Sequence, residues 1–387
     1  HLAQPHLHLF PVLMRRALHL LLVVAFLGIL VTPLIATLSG VDGADKDAEN
    51  RTLAAFPTFE ASPSGAKRYL TGLDAWFTDH FAFRSSLVKA YGVSRYLWLG
   101  VSSSPSVTLG PDGWLFFVDD GGLEDFTNQA PLTEPEIQNW RDVVVRAQRW
   151  CRARGIAYAF TVLPDKGSIY PELFPQTARR VSRLSRIDQI TTAITDTGAA
   201  IDVRQALMDE KRKVRVFQKT DTHWNQRGAY IGYRTIINAL RLQLPSIPPP
   251  KPESEFDALE RPIPGMDLAG MMGLKRVLWE QDLRLAPKAP RQYVVREPKG
   301  NIVEAGEPRI VTEIPGSTLP RALVFRDSFT SAMAPYLSEH FSRVVYLWRN
   351  DFSSEEVEKE HPDVVLQEIV GRHVQWFIPS PELIPDP

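Results

Sequence analysis

Between Ala17 and Leu38 the chain runs through about 22 residues with no Asp, Glu, Lys or Arg (ALHLLLVVAFLGILVTPLIATL), and no other feature restricts its fold as much. At ~1.5 Å per residue a helix of that length reaches roughly 33 Å, enough to cross the hydrocarbon core of a bilayer. A secretory signal core is shorter, about 7–15 residues, and no small-x-small cleavage site follows the run, which therefore reads as an uncleaved anchor. Arg15 and Arg16 precede it, which leaves a short tail, 1–16, on the cytoplasmic side and exports the body. Lys46 and Arg51, not far beyond the other end, weaken that bias. A buried core helix is the competing reading. The sequence starts with His1 and not Met, so its first residue reads as that of a fragment or a misplaced start.

Beyond the run, residues 39–65 are polar and rich in Gly, Asp and Pro, the composition of a tether. The remainder belongs to a folded body. Of the 387 residues, 44% are hydrophobic and 23% charged, an ordinary globular balance. A net charge of −1 gives no global field for a polyanion, so nucleic acid is not an expected partner. A lone cysteine, Cys151, excludes an intramolecular disulfide and cysteine-based metal motifs, and reads as a small buried residue.

The apolar spacing of 66–99, with Tyr69, Leu73, Trp76, Phe77 and Phe81 on one stripe, predicts a helix. Residues 107–118 read as two short strands around Gly-Pro-Asp-Gly. From there helices and strands alternate. Helices are expected at 133–154, opening with Thr133 and Glu136 as a capping box, at 182–197 from a Ser182 cap, and at 225–244, broken by Pro245 and Pro248–Pro250. Strands are expected at 157–163 and 200–203. Residues 251–316 read as irregular, with strands near 292–295 and 310–314. Strands at 322–325, 343–347 and 364–367 then alternate with helices at 330–340 and 353–359. Such strand–helix–strand units imply a mainly parallel sheet with helices on both faces.

Two segments carry candidate chemistry. In Asp221-Thr222-His223 an extended backbone turns residues i and i+2 to the same side, so Asp221 can accept from His223 Nδ1–H and leave Nε2 as a base. The alternative is that Asp221 caps the following helix and His223 packs beside Trp224. In Leu323-Val324-Phe325-Arg326-Asp327-Ser328-Phe329 an apolar strand runs into a helix, placing Ser328 at a strand's carboxyl end and at a helix N-terminus. Here the alternative is that Asp327 or Ser328 is only a helix cap. Together the segments offer a hydroxyl that needs a base and an oriented imidazole that supplies one. His19, His80, His340, His361 and His373 read as structural or solvated. So do Trp114, Phe116 and Phe117, aromatics of the first hairpin that are either core or a sugar-stacking surface. Glu368 and Arg372 read as an ion pair one helical turn apart.

Further short motifs come in a recognisable order: Glu49-Asn50-Arg51, Asp79-His80-Phe81-Ala82-Phe83-Arg84, Gly113-Trp114-Leu115-Phe116, Pro164-Asp165-Lys166 with Tyr170-Pro171, Asp221-Thr222-His223-Trp224, Arg326-Asp327-Ser328-Phe329 and Pro362-Asp363-Val364-Val365. With them the chain resembles the AlgJ/AlgX group of alginate O-acetyltransferases, nearer the AlgJ branch. The resemblance implies an SGNH-hydrolase-like three-layer α/β/α fold preceded by one transmembrane helix. It divides the chain into tail (1–16), anchor (17–38), tether (39–65) and acetyltransferase domain (66–387). It implies a triad of Ser328 as nucleophile, His223 as general base and Asp221 as orienting acid, with no metal or organic cofactor. Lys166, Asn225 and Arg326 are candidate substrate contacts, and Arg326 stands where related esterases carry Gly. The implied acceptor is an exported, alginate-like polysaccharide. The implied donor is a multi-pass membrane acyltransferase, and the implied location is a bacterial inner membrane with a periplasmic body. A carbohydrate acetylesterase and a non-catalytic assembly protein remain alternatives.

Overall fold

A computed structural model describes residues 9–41, 53–182, 184–298, 307–377 and 379–386. Glu49-Asn50-Arg51 and most of the tether lie outside the described residues. The uncharged run lies within helix α1 (Leu9–Leu38), which extends back past Arg15 and Arg16. Its Met14–Leu38 stretch has a mean hydropathy of 2.6 and none of it is buried, so by length and composition it can cross a membrane.

The chain divides into two compact units. The first comprises residues 1–103 with Gly270–Leu274. The stripe expected as one helix over 66–99 is two, α2 (Pro63–His80) and α3 (Arg84–Leu99). Ser62 Oγ caps α2 by accepting from Gly65 N. The break falls at Phe81–Phe83, where Phe83 takes the left-handed conformation (φ 68°). The named apolar stripe ends at Phe81, so its period carries no signal for the turn that follows.

The second unit holds the rest, from Ser104. Strands β1 (Val107–Leu109) and β2 (Leu115–Phe117) pair antiparallel, as expected. Helix α4 (Glu134–Arg152) opens with Glu136 accepting from both the Thr133 amide and hydroxyl. Then come β3 (Ala157–Leu163), α5 (Arg186–Ile194), β4 (Ala200–Ile201) and α6 (Gln226–Gln243). Helix α5 starts at a Ser185 cap, not Ser182, because Ser185 forms a reciprocal box with Asp188. The region read as irregular contains a long hairpin, β5 (Phe256–Pro264) and β6 (Trp279–Pro287). Nearly all of β5 is exposed and it carries Pro262 and Pro264, so it lacks the alternation that marks a half-buried strand. The chain finishes with β7 (Val294–Glu297), β8 (Arg309–Glu313), β9 (Arg321–Arg326), α7 (Phe329–Leu337), β10 (Arg343–Trp348), α8 (Ser354–Glu360) and β11 (Val364–Val370).

The main sheet has the order β4-β3-β11-β9-β10-β8-β7. Its first five strands are parallel, and β8 is antiparallel to both its neighbours. One apolar cluster joins α6 and α7 to one face of the sheet, and another joins α4 and α5 to the other. Cys151 lies buried in the second, and burial pushes its thiol up to about 12. Every residue of β11 is buried, including Gln367 and Glu368. Strands covered on both faces are ordinarily apolar throughout, so a carboxyl there marks a place where packing was given up for something polar.

Candidate active site

The segment 216–225 folds back on itself: Asn225 N donates to Val216 O (3.1 Å), Gln218 N donates to His223 O (3.2 Å), and Phe217 bridges Trp224. Strand β6 braces it. Glu280 accepts from the Lys219 and Thr220 amides (2.8 and 2.9 Å), and Asp282 from Gln218 Nε2 (2.7 Å). In this frame Asp221 Oδ1 accepts from the His223 amide (3.0 Å) and lies 2.7 Å from Nδ1. An ionised carboxylate only accepts, so the ring proton sits on Nδ1 and Nε2 presents a lone pair. Helix α6 is capped by Asn225, whose Oδ1 accepts from Gly228 N (2.9 Å), which leaves Asp221 free for the imidazole.

Ser328 comes from the other side. Strand β9 ends in Asp327, whose Oδ1 accepts from Phe329 N (2.9 Å) and whose Oδ2 accepts from Val370 N (2.7 Å). Asp327 thus caps α7 and ties its start to the end of β11. The Ser328 side chain makes no capping bond. Its Oγ lies 2.8 Å from His223 Nε2, across 105 residues of sequence. Trp224 fixes this meeting by donating its indole N–H to Phe329 O (3.1 Å), and the Phe329 ring stacks at an angle 5.0 Å from the imidazole. The relay is Ser328 Oγ–H to His223 Nε2, then His223 Nδ1–H to Asp221. It sits at the carboxyl end of a parallel strand, where open α/β sheets place their sites.

The surrounding charges set the proton affinities. Burial pushes the His223 imidazole down, but the hydrogen bond and charge of Asp221 outweigh it, and the net direction is up. Asp221 is pushed up by burial and held below its usual range by His223 and Lys166. Behind them stands Asp267, which accepts from the Thr222 amide (3.0 Å) and hydroxyl (2.7 Å). Burial and the neighbouring Asp221 charge raise Asp267 to about 6. Donor atoms of Asp221, His223 and Asp267 lie within 4.8 Å of one another, a spacing open to a metal ion. Each already has a protein partner: Nδ1 has Asp221, Nε2 has Ser328, and Asp267 has Thr222.

Three expected substrate contacts are engaged inside the body instead. Lys166 is buried, its Nζ donating to Leu115 O (2.7 Å) and Lys219 O (3.1 Å). Burial lowers it to about 8 against the pull of Asp221, Asp267 and Glu280. The Asn225 amide is consumed by its cap and by Arg215 O. Arg326, 1% exposed, donates to Asp327 O, Ser331 Oγ and Glu307 O beneath the Trp348 ring. Trp114 and Phe116 are core residues, while Phe117 is partly exposed. Glu368 and Arg372 do not pair: Glu368 lies in a strand, and Arg372 Nη1 binds Asp165 Oδ1 at 2.5 Å.

Asp267 escaped the sequence reading, and Glu368 was read only as a partner of Arg372. Asp267 comes from a segment with no periodic signal. Glu368 had one, a carboxyl within the apolar run of β11. Its Oε2 accepts from Asp327 N (3.0 Å) and Thr330 Oγ1 (2.8 Å), directly beneath the Ser328 turn. Burial, then the Asp327 charge, push its pKa well above the usual range. A raised carboxyl contributes its stability below the ordinary Glu range and loses it as pH rises through the folded value. Glu368→Gln keeps both acceptor bonds and removes that loss. We therefore expect a melting temperature near wild type at about pH 5 and above wild type at about pH 8. Glu368→Ala strands two buried donors and should cost about 2–4 kcal/mol in denaturant titration.

A mainly parallel sheet between two helical layers, with the serine–imidazole–carboxylate relay at its carboxyl edge, defines an SGNH-hydrolase-like α/β body. The SGNH hydrolase-like domain of the acetyltransferase AlgX matches residues 107–308, just over half of the chain. The chain belongs to that family. A probable alginate O-acetylase AlgJ of Pseudomonas aeruginosa is 27% identical over 158 residues, 38% of this chain and 39% of that protein. A probable alginate O-acetylase AlgJ of Pseudomonas syringae pv. tomato is 22% identical over 244 residues, 60% of this chain and 55% of that protein. The matches thus span about two-fifths to just over half of these relatives. PatB1 of Bacillus cereus superposes with a TM-score of 0.52 at 16% identity, over 69% of this chain and 96% of PatB1, a likeness of fold.

Proposed function

We propose that the chain is a serine-dependent O-acetyltransferase that carries acetyl on Ser328 and delivers it to hydroxyls of an exported, alginate-like polysaccharide. The observation that carries the reading is the unbroken relay, 2.8 Å from Ser328 Oγ to His223 Nε2 and 2.7 Å from Nδ1 to Asp221. His223 takes the Ser328 proton as Oγ attacks the acetyl carbonyl. The tetrahedral oxyanion meets the Ser328 N–H at the start of α7, where stabilisation of ~3–4 kcal/mol is typical of such donors. Collapse expels the donor's leaving group, which collects the proton from His223 and leaves acetyl-serine. A sugar hydroxyl then gives its proton to His223 and attacks the ester, and the returning proton restores Ser328.

In this reading residues 17–38 anchor the chain as a single pass, 39–65 tether it, and 66–387 work on the periplasmic side, with 1–16 inside. A multi-pass membrane acyltransferase supplies acetyl. Full-length protein incubated with an acetyl-ester donor and alginate oligosaccharides should yield acetylated sugar in excess of free acetate. Free acetate alone would make it an esterase. Unchanged polymer acetylation with Ser328→Ala would leave only an assembly role.

Asp267 should tune this chemistry through Thr222. Asp267→Asn removes a second negative charge near His223, so the base needs less alkaline solution to be neutral. We expect the acid limb of kcat/KM to move to lower pH, with a loss of about 10-fold in kcat/KM from the weakened hold on Thr222. A pH–rate profile of the two proteins checks this.

A further inference from the structure

Among its described residues, the first unit leaves an apolar face exposed. Along α3, Phe83, Leu87, Tyr91 and Trp98 recur at helical spacing and are 46, 53, 54 and 82% exposed. A neighbouring face of the helix is packed by Gly270–Leu274. A Cβ on Gly92 would lie 2.2 Å from Met272 O, Gly273 abuts Val88, and Ser103 Oγ donates to Met272 O (2.8 Å). Two faces of one helix thus differ sharply, and the one left open is the more apolar. Surface patches of this kind on folded proteins mark contact sites.

The position of the patch points to its occupant. The amide of Ala82, at the α2–α3 corner, donates to Thr37 Oγ1 (2.7 Å). Thr37 is one residue from the end of α1, where the apolar stretch runs out. The start of α3 is therefore held at the depth where hydrocarbon gives way to headgroups. Tyr and Trp favour that depth because their rings are apolar and their tips polar. The helix carries Arg84 and Arg95 beside this face and no acidic residue, which suits anionic headgroups. We propose that α3 lies along the bilayer surface with Leu87, Tyr91 and Trp98 in the interface of anionic phospholipid. This rests on the reading of α1 as a membrane anchor.

The test uses the full chain in liposomes of phosphatidylethanolamine and phosphatidylglycerol. Nitroxide labels are placed singly by Leu87→Cys, Tyr91→Cys, Trp98→Cys, Lys89→Cys and Val24→Cys. Native Cys151 is fully buried and does not compete. Collision with oxygen, which concentrates in lipid, is compared with collision with a water-soluble nickel chelate. The oxygen-to-nickel ratio at 87, 91 and 98 should exceed that at 89 several-fold and fall below that at 24. Ratios at 87, 91 and 98 equal to that at 89 would put the face in water and overturn the proposal. Shielding from both reagents, in detergent as in liposomes, would assign the face to a protein contact and overturn it too. A water-like ratio at 24 would instead remove the anchor itself, a failure distinct from that of α3.

Discussion

Ser328→Ala should lower acetyl transfer by about 10⁴–10⁶-fold while leaving the melting temperature within a few degrees of wild type. In the proposed mechanism the size follows from the nucleophile's place in the relay, because without Oγ no acetyl-enzyme would form and the two-step route would close. Residual turnover would come from the remaining donors and binding contacts acting on direct attack. The small effect on stability follows from the division of labour at the turn. Asp327 carries the α7 cap and the link to Val370, so deleting the Ser328 hydroxyl removes one partly exposed hydrogen bond and no cap. Mass spectrometry of protein quenched after exposure to an acetyl donor should find acetyl on the Ser328 peptide of the wild type alone. An acetyl group elsewhere, with full transfer by the variant, would remove Ser328 from the mechanism.

Asp221→Asn should cost about 10⁴-fold in kcat with the fold intact. The carboxylate accepts from Nδ1–H and fixes the tautomer. An amide turned to donate to Nδ1 moves the ring proton to Nε2, which then faces Ser328 Oγ as a donor and cannot take its proton. The pH dependence has a definite sign. In the proposed mechanism His223 must be neutral to act as a base, and Asp221 helps hold its pKa above the ordinary imidazole range, so wild-type activity should fall on the acid side of that raised value. In Asp221→Asn the supporting charge is gone, and the residual acid limb should move to lower pH. The same shift has a stability counterpart. The raised His223 adds stability that is present below the ordinary imidazole range and lost as pH rises through its folded value. Combining Asp221→Asn with Ser328→Ala should add little to the serine change, because the proposed mechanism makes the two one unit.

Much of the architecture was legible because it rests on local regularities. The uncharged run from Ala17, the Thr133–Glu136 box, the short hairpin at Gly-Pro-Asp-Gly and the strand–helix alternation from β9 to β11 each follow from spacing within a few residues. The features that escaped lack such spacing. The break at Phe83 falls just beyond the apolar stripe, the β5–β6 hairpin is exposed and proline-bearing, and Asp267 has no periodic neighbours. Lys166, Asn225 and Arg326 stand in motifs that suggested open contacts, but burial turned each inward.

The chain itself determined that one segment suits a bilayer and that the body is a mainly parallel α/β sheet. It also placed a serine and an Asp-x-His at junctions suited to chemistry, since those depend on composition, period and i,i+2 geometry. Tertiary structure alone decided that Ser328 and His223 meet across 105 residues. It also decided that Asp327 rather than Ser328 caps α7, and that Glu368 and Asp267 stand behind the relay. Hydrogen-bond partners and desolvation are set by which surfaces close on one another, and no local pattern of residues encodes that closure.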